Sequence, residues 1–466
     1  MNSHSAAMDN SLQQYLDLYD ANSRAIDAGC GAPLLNAMRP GARSALEGAR
    51  LPERGDEGYE RTSVNDMLAP DFGLNISRLP MPVDVTASFR CDIPAVSTLM
   101  AFVVNDSFVP SRTLEERLPD GVRFMSLARA ARECPELVEP YIGLGAGSCP
   151  AADLNTLLLQ DGVLLHIGRG VRLQKPLQLV NIFSSSTDMM AVRRLLVVAE
   201  DDSEAQLLVC DHTQDREHRY LSLQMIQIHV AQRASFELYD LEESSALTSR
   251  ISMLYAHQEA DSSLTVNGST LSGGKTRNDY RLDLDGTGCR TMLAGMAVAT
   301  GDQTVDNSSE VLHHAPRCHS DQLFKYVLDD KSNGAFEGAI RVEEGAVLTE
   351  AYQTNRNLLA SSDARMHTRP QLEIYCDDVK CSHGAATGQL DQQALFYMQA
   401  RGIPQHEARV MLMQAFMADV IATVRPEGLR DRLRLLVERR FHGRSSATCA
   451  DCGAAHNTDQ VCSSSI

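Results

Sequence analysis

A polar corner followed by a short apolar run recurs through the middle of this chain, as EDDSEAQLLV, AQRASFELYD, QEADSSLTVN and GTGCRTMLAG. Aligning Leu207, Phe236, Leu264 and Met292 gives steps of 29, 28 and 28 residues. A repeat of this length without the 3.6-residue pattern of helical hairpins reads as stacked β coils, a solenoid whose turns touch only their neighbours. Alternating runs upstream, Val163, Leu165 and Ile167, then Val171 and Leu173, then Leu177 and Leu179, carry the same texture and are bounded by Gly, Pro or acidic residues. The chain is therefore expected to be mainly β, with a β-helix over about residues 150–388.

Both flanks change period. Residues 1–149 read as a mostly helical region, expected to be mobile to about residue 75, with Leu12, Tyr15, Leu16 and Tyr19 at helical spacing and RPGARSALEGARLPERGDEG as a linker-like run. After Gly388 a helical domain is expected over 389–443. Asp391 is its first N-cap, Gly402 ends the first helix, and Pro404 opens a second that runs to about 423. From Val410 to Ile421 every position but Gln414 and Asp419 is apolar, more than one amphipathic face requires. Two readings stand: a helix buried inside its own three-helix domain, or a Met-rich docking surface. A basic third helix spans 429–440, and the unit is expected to be separable from the β-helix. A Cys-rich tail, 444–466, reads as disordered.

Composition removes several classes of function. Of 466 residues, 61 are acidic and 43 basic, a formal charge of −18 that gives no footprint for nucleic acid. No segment reaches the roughly 18 apolar residues of a membrane span, and no basic start with an apolar run marks a secretion signal, so a cytoplasmic protein is expected. Its 12 cysteines are then reduced thiols. Trp is absent and aromatics are 5% of the chain, which argues against a β-helix carbohydrate-active enzyme with its stacking subsites and paired carboxylates.

Four constellations carry possible chemistry. Gly274, Lys275 and Thr276 end a phosphate-loop pattern, but its first glycine is Ser269 here, so a turn between coils is expected and no nucleotide. HHAPRCHSDQ sets His313, His314, Cys318 and His319 close together without metal-site spacing, at a bend marked by Pro316. In the tail, Cys449, Cys452, His456 and Cys462 offer a tetrahedral zinc or iron set of which only the Cys-x-x-Cys pair has strong spacing. DDVKCSHGAATGQ places Cys381 and His383 two positions apart. On an extended strand both point to one face with Cα atoms about 6.5 Å apart, close enough to share an ion. Two ligands do not close a tetrahedral site, so the pair suits a transient metal or a site completed by another chain. A catalytic Cys-His dyad and a buried Cys beside a capping His are the competing readings.

TRPQLEIYCDDVKCSHGAATGQLDQQALFYMQARGI closely resembles the C-terminal block of SufD-type members of the SufB/SufD family, which assemble iron-sulfur clusters. The likeness extends through SGGKTRNDYRLDLDG, CHSDQLFKYVLDD and FEGAIRVEEGAVLTEAYQTNRNLLAS, and covers about residues 150–440. It implies a right-handed parallel β-helix core with an N-terminal helical segment and a C-terminal α-helical domain. It also implies a non-catalytic scaffold that pairs through the β-helix with SufB, or with itself in isolation, and docks the SufC ATPase through its C-terminal helices. No tightly bound cofactor is implied, only transient iron or an iron-sulfur cluster at the partner interface. The KCSHG motif maps onto Cys381 and His383, the His being tied to nascent cluster assembly or iron acquisition. A SufB-like subunit that holds a cluster itself is the alternative. Cys376 departs from the family pattern, and on a regular strand would face away from Cys381. The tail departs from it as well.

Overall fold

The computed structural model describes residues 10–78, 99–214 and 216–442. Each turn of the middle region contains two strands, such as Thr248–Gln258 and Ser263–Ser272. Among the described residues, successive turns stack these into two sheets, of 9 and 10 strands, in which each strand neighbours its counterpart one turn away. The pairing between turns is parallel except for the short strands Ser107–Val109 and Val122–Ser126 at the N-terminal end, so the architecture is a parallel β-solenoid with helices at both flanks.

The register shows what sets the repeat. Ala205, Phe236, Leu264, Thr291, Ser320, Ala351 and Cys381 form one continuous column of paired residues in the 10-stranded sheet. The corner before each of the first six of these strands holds a residue in the left-handed region, namely Asp202, Arg233, Asp261, Gly288, Arg317 and Leu348, with φ between 57° and 77°. Their backbone amides climb from turn to turn, Asp202 donating to the Gln232 carbonyl, Arg233 to Ala260, Asp261 to Thr287, and so on to Leu348 and Asp378. The polar corner of the sequence repeat is thus a hydrogen-bonded stack that reverses the chain; Asp202, Asp261 and Gly288 tolerate that backbone best, and Arg233, Arg317 and Leu348 adopt it as well.

This register corrects the sequence alignment. Phe236 does pair with Leu264, but Leu207 pairs with Leu238, and Met292 pairs with Thr265. The turns differ in corner length, so a fixed period slips. A slip of two residues leaves Leu207 facing inward, whereas a slip of one turns Met292 outward, where it packs under the C-terminal helices.

The solenoid interior is apolar along one side, with Leu195, Ile228, Leu238, Val266 and Leu282 among its buried residues. The inward positions farther along the same strands are charged. Arg250, 3% exposed, lies between Asp211, at 3.2 Å, and Asp240, and Arg193 reaches the other oxygen of Asp211 at 3.4 Å.

Each outer face is covered by a different flank. Helices Leu12–Cys30, Arg39–Ala45 and Pro150–Leu158 share one apolar core with Met190, Val192, Leu221, Leu223 and Ile251 of the 9-stranded sheet. The described part of the N-terminal region, from residue 10 to 78, is therefore packed, contrary to the expectation of a mobile segment. The run that reads as a linker carries Arg39, 1% exposed, whose guanidinium donates to the carbonyls of Leu157 and Leu159 and pairs with Asp27. A basic side chain that satisfies the last carbonyls of a helix is easily mistaken in sequence for a solvated one.

The helices Gln405–Ala422 and Glu427–Phe441 lie on the outer face of the 10-stranded sheet. Val410, Met413, Met417, Val420 and Ile421, with Leu429, Leu433 and Leu436, bury against Leu208, Tyr239, Leu241, Met296 and Val298. The second helix is therefore neither enclosed in a domain of its own nor bare: its apolar core is shared with the solenoid. Lys325, 3% exposed, pins it by donating to the Phe416 carbonyl at 2.8 Å and to Asp419 at 2.6 Å.

Candidate functional site

Among the described residues the solenoid ends in two edge strands, Arg365–Ile374 in one sheet and Val379–Gln389 in the other, each hydrogen-bonded on one side. Residues paired across a parallel sheet point the same way. Cys381 continues the inward column of Ser320 and Ala351, and His383 continues that of Gln322 and Gln353. Both side chains therefore face the solenoid axis at its open end, on one strand face as the spacing predicts.

Their environments differ. Cys381 is half-buried against Ile340, Val342, Ala346 and Ala351, and burial, with Cys376 nearby, pushes its thiol pKa up. A thiol so placed stays protonated near neutrality and is no activated nucleophile. His383 is exposed. Beneath it Gln353 donates to Gln322 at 3.3 Å, and Ser309 donates to the same oxygen at 2.7 Å. Alongside, Asn357 donates to Thr387 at 3.1 Å and Thr368 to Asn355 at 2.8 Å. The mouth is thus an apolar patch at Cys381 beside a polar ladder at His383, with the buried Oε1 of Gln353 left without a partner. Sequence reading missed this ladder. Its only signal is amide side chains at Gln322 and Gln353, one turn apart, which the uneven period hides.

Cys376 corrects the expectation of an opposite face. The strand that precedes it ends at Ile374 and the next begins at Val379, so Cys376 lies in the crossing between sheets. It packs on the same apolar cluster as Cys381. Among the described residues two sets of three ligand atoms lie within 4.8 Å of one another, and neither includes Cys381, His383 or Cys376.

The other constellations disperse. His313 is buried and bonds Ser320 at 2.8 Å, and burial together with His314 and His319 holds its pKa down at about 4. His314 turns to Asp283 at 3.3 Å, and His319 to Glu350 at 3.7 Å. Cys318 fills the corner stack beside Cys289, with its thiol on the Gly286 carbonyl at 3.2 Å. Gly273 and Gly274 form the tight turn between strands Ser263–Ser272 and Lys275–Leu284, and no helix follows. A Cβ at Gly274 would sit 2.5 Å from the Ala246 carbonyl, which explains the glycine without a phosphate. The tail residues Cys449, Cys452, His456 and Cys462 lie outside the described residues.

A second exposed surface sits on the C-terminal helices. In the helix Gln392–Ala400, N-capped by Asp391, Leu395 is buried while Phe396 is 71% and Tyr397 58% exposed. Met411 on the next helix is 48% exposed. Among the described residues no helix is long and apolar enough to cross a membrane.

Comparison with known proteins agrees with this architecture. Residues 182–416 match the family model described as SUF system FeS cluster assembly, SufBD core domain, and residues 9–179 match the SufBD protein N-terminal region. The chain is similar to the iron-sulfur cluster assembly protein SufD of Escherichia coli, 27% identical over 93% of this chain and 97% of that protein. It is also similar to a SufBD family protein of Synechocystis, 26% identical over 91% and 95% of the two chains, and to SufD of Bacillus subtilis, 27% identical over 73% and 78%. With the solenoid, its two helical flanks and both halves of the family pattern in place, the chain belongs to the SufBD family of iron-sulfur cluster assembly proteins.

Proposed function

We propose that this chain is a SufD-like, non-catalytic scaffold subunit working in the cytoplasm. Its open solenoid end pairs with a SufB-like paralogue, its C-terminal helices dock a SufC-type ATPase, and Cys381 and His383 receive iron or a nascent cluster as cargo at the paired end. The observation that carries this reading is the placement of Cys381 and His383 on one inward face at the unclosed end. Two ligands bind a metal weakly, so a cargo ion is not trapped, and a ligand from the partner would complete the set. The edge strands, 10 and 11 residues long, supply main-chain donors and acceptors for a partner's strands. Phe396, Tyr397 and Met411 are the kind of side chain that anchors a protein interface.

His383→Ala, expressed with its SufB and SufC paralogues in cells lacking other assembly pathways, should leave the complex intact and lower cluster formation several-fold, with Cys381→Ser milder. A His383→Ala complex that assembles clusters at the full rate refutes the assignment.

A further inference from the structure

Far from that end, on the outer face of the 9-stranded sheet, two imidazoles and a carboxylate converge. His229 and His257 are paired residues of adjacent strands, and their rings stack with centroids 5.0 Å apart and 8° between planes. Glu259 follows two residues after His257, with its Oε1 3.2 Å from His229 Nε2. The three side chains are half-buried, and their ligand atoms lie within 4.8 Å of one another.

We propose that His229, His257 and Glu259 bind a divalent first-row transition-metal cation, with a fourth coordination position open to the adjoining cleft. A tetrahedral ion with ligands at about 2.0–2.2 Å holds its donor atoms about 3.3–3.5 Å apart. The His229 to Glu259 separation meets that already, and modest ring rotation brings His257 in. Asp285 Oδ2 lies 2.6 Å from His257 Nδ1. That contact fixes the Nδ1 proton and leaves the Nε2 lone pair for a metal, the carboxylate-histidine support usual behind metal-bound imidazoles. Two nitrogens and one oxygen suit zinc, cobalt or ferrous iron, whereas calcium and magnesium want oxygen alone.

The open side is defined by the N-terminal flank. A cleft of about 350 Å³ is lined by Glu139, Tyr141, Leu144 and Leu196 together with His229 and His257. The Tyr141 ring lies 4.8 Å from that of His229. A water or a small anionic ligand has room there to complete the coordination. The site is distinct from Cys381 and His383 in sheet, face and turn, so the two assignments stand or fall separately.

The test uses the full chain with Cys381→Ser, His383→Ala, His406→Gln, Cys449→Ser, Cys452→Ser and Cys462→Ser, so that the solenoid-end pair, the second set of three ligands, His406, Glu407 and His442, and the tail thiols do not compete. Titration with cobalt(II) should give one equivalent bound, with visible absorption of a four- or five-coordinate ion. His229→Gln and His257→Gln should each remove that absorption. Asp285→Asn keeps all three ligands and should weaken binding about 10–100-fold, as loss of an outer-shell partner does. Circular dichroism establishes that each variant is folded. Absence of cobalt binding by the parent chain overturns the proposal, and so does unchanged binding by folded His229→Gln and His257→Gln.

Discussion

Replacing Arg250 by Met tests whether the charges inside the solenoid are a paired system. Arg250 donates to Asp211, Asp240 and Ser252, and all four residues are buried. Met fills much of the volume but takes the cation away. Asp211 retains Arg193, at 3.4 Å, whereas Asp240 loses the only cation paired with it among the described residues and keeps an oxygen that is already without a partner. Stranding a buried carboxylate in this way costs about 3–5 kcal/mol, and two lost charge-assisted hydrogen bonds at about 1.5–3 kcal/mol each give the same order. The deficit depends on pH in a defined direction. Burial, with Asp211, already raises the Asp240 pKa, and Arg250 opposes that rise. Without Arg250 the folded-state pKa climbs further above the unfolded value. The penalty is then complete above the folded pKa and shrinks as the pH falls through it, because the folded chain takes up the proton first. Urea unfolding followed by circular dichroism at about pH 8 and about pH 5 measures both quantities. Arg250→Met with Asp240→Asn should recover most of the loss. A deficit below about 1 kcal/mol at the higher pH, or one that grows on acidification, refutes the reasoning.

Two further outcomes follow from buried groups and shared cores. Glu242 is pushed up to about 7 by burial, aided by Asp211 and Asp240 and opposed by Arg250 and Thr276. Its folded state therefore holds a proton that the unfolded chain releases, and stability declines as pH rises from about 4.5 to about 7. Glu242→Gln should flatten this decline, worth up to about 3 kcal/mol, in the same urea assay, and an unchanged slope sinks the assignment. Deleting residues 391–442 uncovers Leu208, Tyr239, Leu241, Met296 and Val298 on the sheet. The shortened chain should bind a hydrophobic dye and aggregate, and a soluble, dye-negative monomer would contradict the shared core.

The repeat announced the solenoid because its corners must be polar and its strands apolar, and both demands act on neighbouring residues. Exact register was out of reach, since corners of unequal length shift the pairing by one or two positions, as at Met292 and Leu207. The facing of Cys381 and His383 was legible from their spacing alone, because a strand alternates with a period of 2. What lies beneath them was not. Gln353 and Gln322 are 31 positions apart in sequence and in contact only through the stack. Arg39 illustrates the opposite failure, a side chain whose burial depends on helix ends more than 100 residues away. The cluster of His229, His257 and Glu259 joins two separate turns, and Asp285 joins a third. No local spacing encodes such a set.

The two ends of the solenoid are unlike. Among the described residues the sheets finish, toward the N-terminal end, in strands of 3 and 5 residues, Ser107–Val109 and Val122–Ser126, both antiparallel to their neighbours. Toward the C-terminal end the edge strands have 10 and 11 residues. Short edges are poor templates for further pairing and long ones are good templates. In the language of polymer growth, the molecule is monofunctional. Joining two such long edges uses up both, so edge-to-edge association halts at a pair at any concentration. A stack built from the same coils but open at both ends would be bifunctional, and would extend into a fibre.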